Sequence, residues 1–417
     1  MHIVFIVGTY YPQNSAVCDC AAKVAHELAK SHAITVISEK TYAAQPDQEE
    51  WDGHKIIKCI TKDTKTREVL NARVRAAKGV RRKLFQCALS LYKLSRALKT
   101  ILSNTSIRND LAKLYLEKLR SIEEDIDYII PVSQPYESLV AAVEYKRSAG
   151  SDAKLLPYLF DQFADNDVLH RLQVNKVMKR NRHIALEQDL LKEAHAILAM
   201  HSLGAHFSKD LSLINNVHLL EHPLIVRPES HVRIYSSNTR ISYIGGLYRN
   251  YVVPDYFLKL YERVNLDEAV LHFYIIGNCY SIISKYCSKL PARAINHGAV
   301  DKRIASQEML KSDILINIAE KKGIQMSSKI LEYISYGKPI IHFYTAENDV
   351  NLGVLRKYPL VLCLKQDFAI LDHNARKFED FCKIHRSAHM SFEEVEKLFW
   401  DATPKFTAEV IEKLMLY

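Results

Sequence analysis

Residues 325–341 combine residue types that suit the binding of a phosphorylated ligand. Ser327 and Ser328 begin a predicted helix, whose first amides, hydroxyl groups and the Lys329 ammonium together favour an anion such as a diphosphate. Glu332 follows one turn later on the same helical face, where a carboxylate can accept hydrogen bonds from ribose hydroxyls. The spacing therefore predicts neighbouring partners for phosphate and ribose.

The sequence also predicts where this helix ends. Gly337 predicts a left-handed C-terminal cap, and Pro339 prevents the helix from continuing before a buried strand begins. An alternative interpretation is a capped helix with a solvent-exposed Lys and Glu at positions i and i+3, without any ligand. The residue types alone leave both interpretations open.

The elements that must position these residues follow an alternating pattern of apolar runs and helical segments. The predicted strands cover residues 2–7, 33–37, 56–60, 127–132, 155–160, 194–200, 240–244, 271–276, 294–298, 314–317 and 339–342. Strands that alternate with helices predict parallel, doubly wound α/β sheets. A chain of 417 residues exceeds what one hydrophobic core usually serves, so two such domains facing a central cleft are expected.

The domain limits are placed where this pattern breaks. Two prolines interrupt the pattern between Glu221 and Ser230, just before a fresh strand. We therefore predict one Rossmann-like domain over residues 1–228 and a second over residues 229–395. Residues 396–417 are expected to form a helix that crosses back to the first domain.

Positive charge is concentrated in one segment. The net charge is +9, and residues 62–120 carry 16 Lys and Arg against four Asp and Glu, which leaves the remainder slightly acidic. The segment is predicted to be helical, with an apolar stripe formed by Leu84, Leu91, Leu94 and Leu98. Such a segment suits phosphates on anionic lipid or on a phosphorylated acceptor, or a solvated basic surface. Nucleic acid is not an expected partner, because the segment lacks interleaved aromatic residues and any recognisable binding module.

Composition also narrows the cellular setting. No apolar run is long enough to span a bilayer, and Gly8 and Pro12 interrupt the N-terminal run too early for a signal peptide, so a cytoplasmic protein is expected. The eight cysteines are scattered without a C-x-x-C pair and are expected to be reduced thiols. Two Asp-x-Asp triplets, at residues 125–127 and 165–167, lie far from the phosphate motif, so neither a metal nor a cofactor is expected.

The segment 325–341 resembles the donor-binding motif of retaining GT-B glycosyltransferases of family 4, especially bacterial polysaccharide enzymes with the pattern Q-x-P-S-K-x-x-E-Y-x-x-x-G-K-P-I-I. The matching residues are Gln325, Ser328, Lys329, Glu332, Tyr333, Gly337, Lys338 and Pro339. At lower specificity the resemblance covers most of the chain in the family's order, through residues 10–12, 33–37, 159–163, 244–249, 275–277 and 296–298.

The resemblance implies a GT-B architecture and the transfer of a sugar from a nucleotide-sugar, UDP being the commonest donor nucleotide in the family. It also implies retention of configuration, no metal, and a growing, lipid-linked cell-surface polysaccharide such as capsule or exopolysaccharide as acceptor. The first domain would bind the acceptor and the second the donor, at the inner face of the membrane. The implied donor-binding residues are Gly246, Arg249, Gly277, His297, Gln325, Ser328, Lys329 and Glu332.

Three side chains are expected to act on the reaction itself. Arg249 and Lys329 would offset the charge of the leaving diphosphate, and Asp161 would orient or help to deprotonate the acceptor hydroxyl beside Tyr10. Asp161 has an alternative interpretation as a loop-capping residue. For His297 a structural role is equally open.

Some positions depart from the family pattern. Ile324 stands where the family has a glutamate that touches the transferred sugar, and Glu320 is a candidate substitute. Gly246 and Tyr251 occupy places that commonly hold Arg and Lys, and Ser327 replaces the motif proline. These changes motivate a second hypothesis, a GT-B-shaped accessory subunit that binds a partner or acceptor without catalysis.

Overall fold

The computed structural model describes residues 1–11, 15–166, 170, 173–229, 238–266, 268–323 and 326–416. The chain forms two compact units, one made of Met1–Pro223 with Pro404–Tyr417 and the other of Leu224–Thr403. The units therefore change over after Pro223 and Thr403, whereas the sequence places the changes after residues 228 and 395.

The first unit is built around parallel strands with buried apolar side chains. Its strands are β1 (His2–Ile6), β2 (Ala33–Glu39), β3 (Gln48–Trp51), β4 (His54–Cys59), β5 (Tyr128–Pro131), β6 (Lys154–Leu155), β7 (Tyr158–Leu159), β8 (Ile197–Met200) and β9 (Val217–Leu220). Its helices are α1 (Ala16–Ala29), α2 (Lys62–Ala76), α3 (Gly79–Leu102), α4 (Asn109–Arg120), α5 (Glu137–Ala149), α6 (Gln173–Leu191) and α7 (Gly204–Lys209).

Strand β1 occupies the centre of the larger sheet of this unit. The strand order is β3-β4-β2-β1-β5-β6, and a second sheet has the order β7-β8-β9. A bridge between Val132 and Tyr158 links the two sheets. Val4 pairs in parallel with Thr35 on one side and Ile129 on the other, and it is fully buried. Chain order reverses between β1 and β5, so a crevice forms at their carboxyl ends.

The second unit contains one parallel, six-stranded sheet. Its strands are β10 (Thr239–Leu247), β11 (Ala269–Gly277), β12 (Ala294–Gly298), β13 (Ile314–Ile318), β14 (Ile340–Tyr344) and β15 (Val361–Lys365). Its helices are α8 (Asp255–Arg263), α9 (Tyr280–Lys289), α10 (Lys302–Lys311), α11 (Ser328–Ser335), α12 (Val350–Leu355), α13 (Leu371–His385) and α14 (Phe392–Leu398). The strand order β12-β11-β10-β13-β14-β15 reverses direction between β10 and β13.

The last helix, α15 (Pro404–Met415), belongs to the first unit. The Tyr128 hydroxyl donates to the Met415 carbonyl at 2.9 Å, and the His32 ring contacts the Glu412 carboxylate at 3.2 Å. Ile411 is fully buried in this contact. The first unit is therefore completed by a segment that follows the second unit in sequence.

The predicted α/β class with two doubly wound sheets is confirmed, and every predicted strand is present. The predicted strand over residues 155–160 is divided at Pro157 into β6 and β7. Strands β3, β9 and β15 were not predicted. Among the described residues, no helix is long and apolar enough to cross a membrane. All eight cysteines are free thiols, and six are buried.

Candidate functional site

The carboxyl ends of β10 and β11 bring two predicted glycines together. Leu247 at the end of β10 pairs with Gly277 at the end of β11, and Gly246 directly precedes Leu247 on β10. Gly277 has a φ of +107°, and a Cβ added there would lie 2.3 Å from the Leu247 carbonyl oxygen. A Cβ at Gly246 would lie 2.6 Å from the Tyr248 ring. Glycine is therefore required at Gly277, where the ends of β10 and β11 approach each other, whereas at Gly246 the exposed Tyr248 ring limits the space.

Helix α11 is fastened to the end of β10 by Tyr333. The Tyr333 hydroxyl donates to the Ile244 carbonyl at 2.9 Å and accepts from the Ile244 amide at 3.2 Å. Tyr333 is fully enclosed, and burial raises the pKa of its hydroxyl. The motif helix therefore lies beside the reversal point between β10 and β13, where open α/β sheets bind ligands.

The polar residues of α11 are arranged around an ion pair. Lys329 donates to the Glu332 carboxylate at 2.7 Å, and the side chains are 34% and 27% exposed. Ser328 is the first residue of the helix and is partly exposed. A hydroxyl, an ammonium and a carboxylate thus stand within one turn at a helix N-terminus, a region that favours anions.

A buried polar network that the sequence interpretation missed holds the start of α11. Asn317 Nδ2 donates to Ser327 Oγ at 3.0 Å, and the Ser327 amide donates to Asn351 Oδ1 at 2.8 Å. On the other side, His342 Nδ1 contacts Asn317 Oδ1 at 2.8 Å. Asn317 and His342 interrupt otherwise apolar buried strands, and a buried polar side chain requires a partner, so these two residues could have been noticed.

The loop after β13 is tied to the loop after β10. The Lys321 amide donates to the Tyr251 carbonyl at 3.1 Å, and the Lys322 amide donates to Glu320 Oε2 at 2.8 Å. The Glu320 carboxylate is buried and holds this turn. Ile324 and the predicted donor residue Gln325 lie outside the described residues, so a role for Glu320 in place of a glutamate at position 324 stays a prediction.

Arg249 lies in the loop after β10. Its main-chain amide donates to Asn278 Oδ1 at 2.9 Å, and its side chain is exposed. The loops after β10 and β11 are thereby joined, and a guanidinium is available beside Gly246 and Gly277. The predicted contact between Arg249 and a diphosphate fits this placement and stays a prediction.

His297 lies on the edge strand β12 in a layer of other polar rings. Its Nε2 contacts His272 Nδ1 at 2.9 Å, and its ring stacks on Tyr274 with centroids 4.4 Å apart. Burial and the nearby Arg240 guanidinium lower the pKa of His297. These contacts give His297 a structural role. A contact between His297 and a nucleotide remains a prediction.

In the first unit, Asp161 follows β7 and meets the end of β5. Gln134 Nε2 donates to the Asp161 carboxylate, and burial raises the pKa of Asp161 against the lowering effect of His222. A Cβ at Gly8 would lie 2.8 Å from the Gln134 carbonyl oxygen, so the end of β1 reaches the same place. Asp161 therefore stands at the crevice of the first unit.

Tyr10 is placed differently from Asp161. Its side chain is 2% exposed, and its hydroxyl contacts His54 Nε2 at 2.9 Å. The ring also packs edge-on against Trp51 at 5.9 Å. An acceptor contact at Tyr10 would require this buried cluster to open, and the role stays a prediction.

A cavity of about 620 Å³ lies where β1 and β2 end beside α2. Its lining residues are Thr9, Glu39, Lys40, Thr41, Tyr42, Asp63, Thr64, Arg67, Glu68, Asn71, Ala72, Arg75 and Arg108. Arg108 contacts the Glu39 carboxylate at 3.4 Å, whereas Arg67 and Arg75 are largely exposed. The sequence interpretation missed this cavity, because nothing local to α2 indicates which strand ends it faces.

Asp127 and Asp165, one from each Asp-x-Asp triplet, contact other groups of the protein. Asp127 precedes β5 and accepts a hydrogen bond from the His2 amide at 2.6 Å. Asp165 contacts Arg180 at 3.0 Å, and Asp167 lies outside the described residues. Within the part of the chain that the structure describes, no group of three or more His, Cys, Asp or Glu is arranged to hold a metal ion. Metal independence stays a prediction.

Two parallel, doubly wound units on one chain define the fold class, which is the GT-B fold of glycosyltransferases. Sucrose-phosphate synthase from Thermosynechococcus elongatus matches 100% of this chain and 99% of its own, with 11% identity and a TM-score of 0.65. OtsA matches 99% and 98%, with 11% identity and a TM-score of 0.62. Anabaena HepE, in complex with UDP-glucose, matches 99% and 98%, with 10% identity and a TM-score of 0.56. No protein-family model and no curated protein sequence matches the chain.

Proposed function

We propose that this protein is a glycosyltransferase that takes a sugar from a nucleotide-sugar, most simply a UDP-sugar. The observation that carries the proposal is the position of Ser328, Lys329 and Glu332 at the strand-order reversal of the second unit. The full-length likeness to GT-B structures, one of which contains UDP-glucose, supports the same conclusion.

Donor binding would separate the Lys329–Glu332 ion pair on α11 and give each side chain a new partner. The diphosphate would take the Lys329 ammonium from Glu332, whose carboxylate would then accept from the ribose hydroxyls. A partly exposed ion pair contributes only about 0–1 kcal/mol, so separating it costs little. Gly246 and Gly277 would let the diphosphate approach the main chain, and Gln325 and His297 would complete the donor site.

Catalysis would rest on charge stabilisation and positioning. Arg249, Lys329 and the first amides of α11 would offset the negative charge on the leaving diphosphate without a metal. We place the enzyme with the retaining transferases of family 4, in which the leaving diphosphate helps to deprotonate the acceptor on the same face. Asp161 would orient the acceptor hydroxyl, and its raised pKa favours accepting a proton.

We propose a growing, lipid-diphosphate-linked cell-surface polysaccharide as the acceptor, as in capsule or exopolysaccharide synthesis. Arg67 and Arg75 in the cavity beside α2 would suit its phosphates. The enzyme would then work in the cytoplasm at the inner face of the cell membrane. The basic segment of residues 62–120 supports this placement.

The test is thermal unfolding of the protein with UDP, GDP and dTDP in turn. A nucleotide that binds only the folded protein raises the transition temperature, and we expect UDP to do so. Glu332→Ala should abolish the shift. Glu262→Ala is the matched control, because Glu262 forms the same i,i+3 pair with Lys259 at 2.9 Å on α8. No shift with any nucleotide, or an equal shift in Glu332→Ala, would contradict this donor site.

A non-catalytic accessory subunit is the second candidate function. It is favoured by Ile324, which replaces the family's sugar-contacting glutamate, and by Tyr251 in place of a lysine. The two functions differ in turnover. A UDP-dependent shift without hydrolysis or transfer from any UDP-sugar would favour the accessory subunit.

A further inference from the structure

One side of α3 carries large apolar residues that remain exposed. They are Val80, Leu84, Leu91, Leu94, Leu98 and Leu102. Their exposed fractions range from 48% at Leu98 to 81% at Leu102. Their spacings of three, four and seven residues keep them on one side of the helix, so they form a continuous line along its 24 residues. We refer to these six residues as the α3 stripe.

The α3 stripe is not needed to hold α3 in place. The opposite side of the helix contains Leu89, which is 9% exposed. On the same side, the Tyr92 hydroxyl donates to Asp63 Oδ1 at 2.8 Å, and Arg96 contacts Asp63 at 3.3 Å. Apolar surface of this extent on a monomer is typical of an interaction site.

The charges around the α3 stripe indicate what covers it. Helix α3 carries six Lys and Arg and no Asp or Glu, and residues 62–102 together carry twelve Lys and Arg against two acidic residues. Helical geometry places Arg81 and Lys99 along one edge of the stripe and Lys83 along the other. A second copy of this chain would bring like charges together, whereas anionic lipid headgroups complement them.

Helix α6 adds exposed apolar surface next to the end of α3. Lys179 Nζ donates to the Thr100 carbonyl oxygen at 2.8 Å, which joins the two helices. Val174, Val177 and Met178 on α6 are 67–75% exposed at helical spacing. The apolar surface of the first unit is therefore not confined to one helix.

We propose that the α3 stripe lies in the surface of a bilayer that contains anionic lipids. Its aliphatic side chains enter the acyl boundary, while Arg81, Lys83 and Lys99 remain among the headgroups. The purpose of this surface rests on the proposed lipid-linked acceptor. Helix α2 carries α3 on one side and lines the cavity with Arg67 and Arg75, so one helix pair connects the bilayer with the acceptor cavity.

A cysteine within the α3 stripe makes the contact measurable. Cys87 lies between Leu84 and Leu91 on the same side of α3, and of the eight cysteines, all within described ranges, it is the exposed one. We would attach an environment-sensitive nitrobenzoxadiazole probe to Cys87 and add phosphatidylcholine vesicles with or without phosphatidylglycerol. The emission should shift to the blue with the anionic vesicles and return in high salt.

The matched control moves the probe by one residue. Gln86→Cys combined with Cys87→Ser turns it by about 100° around the same helix, to an exposed position outside the α3 stripe, where its emission should not shift. No shift at position 87, or equal shifts at both positions, would overturn the proposal.

A second measurement uses vesicle co-flotation of the unlabelled protein. Leu91→Gln combined with Leu94→Gln should weaken binding to the anionic vesicles by about tenfold or more per leucine. Leu213→Gln is the control, because Leu213 is 73% exposed outside the α2–α3 pair, and it should float like the wild type. Unchanged flotation of the double variant would overturn the proposal. So would a wild-type dimer without lipid, in sedimentation velocity, that the double variant loses.

These outcomes are separate from those for the donor site. Loss of vesicle binding with an intact UDP-dependent thermal shift concerns the bilayer surface alone. Intact vesicle binding without any nucleotide shift contradicts the proposed transferase and leaves the bilayer surface in place.

Discussion

At the scale of single residues, Ser327 stands where the family 4 motif that this segment resembles has a proline. A proline at this position has no amide, and its ring would occupy the space from which the Ser327 amide now donates to Asn351. Asn351 is fully buried, and the Ser327 hydroxyl accepts from Asn317. The serine is therefore linked to two asparagines that belong to other elements of the second unit.

Replacement of Ser327 by proline, the residue in the motif that this segment resembles, should destabilise the second unit. Loss of the amide removes one hydrogen bond to the buried Asn351 oxygen, which costs about 0.5–1.5 kcal/mol. A loss of that size lowers the transition temperature by roughly 2–4 °C per kcal/mol in a unit of this length. Ser327→Ala retains the amide and should lower it less. A proline variant as stable as the wild type in scanning calorimetry would show that the network does not hold α11.

At the scale of elements, the turn after α11 depends on Gly337. Its φ is +62°, and an added Cβ would lie 2.0 Å from the Met390 carbonyl oxygen. The Gly337 carbonyl in turn accepts from the Met390 amide at 3.0 Å. This close approach joins the end of the motif helix to the segment before α14.

Gly337→Ala should therefore be far more harmful than the same change at another helix end. Gly150, after α5, has a φ of +57° but nothing within 4 Å of an added Cβ. Gly150→Ala carries only the left-handed backbone penalty, about 1–2 kcal/mol, whereas Gly337→Ala adds a clash with main-chain atoms. We expect a clearly larger loss of urea resistance for Gly337→Ala. Equal losses of urea resistance in the two variants would mean that the backbone near Met390 moves to accommodate the added Cβ without a further loss of stability.

The sequence predicts elements whose signals are local. Strand β8 is apolar over its whole length and β1 is apolar from Ile3 to Ile6, because neighbours cover both faces. Gly337 and Pro339 end α11 by their own geometry. Strand β3 was missed because its exposed, polar sequence is ordered only by antiparallel pairing with β4. The pairing of β3 with β4 arises only in the folded structure, so no local sequence pattern predicts β3.

In the candidate site too, some contacts could be predicted from the sequence and others could not. The Lys329–Glu332 pair could be predicted because three residues of helix bring the two side chains together. The Asn317–Ser327–Asn351 network could not, since its members are 10 and 24 residues apart and meet only after β13, α11 and α12 are packed. The α3 stripe was visible as a pattern, but its exposure depends on which side of α3 faces α2.

At the scale of the whole molecule, the first unit is completed only after the second has been synthesised, because α15 belongs to it. The helix contributes buried Ile411 and Met415 side chains, and its backbone accepts hydrogen bonds from Tyr128. Burial of such side chains stabilises a unit by about 1.5–3 kcal/mol each. The last segment of the chain should thus control the stability of the first unit.

Ile411→Ala should selectively destabilise the first unit. A fully buried isoleucine truncated to alanine costs about 2–5 kcal/mol, because the contacts are lost and a cavity remains. Limited proteolysis should then cut within Met1–Pro223 at lower urea concentration, while Leu224–Thr403 keeps its wild-type resistance and its response to UDP. Lys413→Ala is the control, since this side chain on the same helix is exposed and should change stability by less than about 0.5 kcal/mol. If Ile411→Ala weakened both units equally, the two would unfold as one cooperative body, and α15 would stabilise the whole chain rather than its first unit.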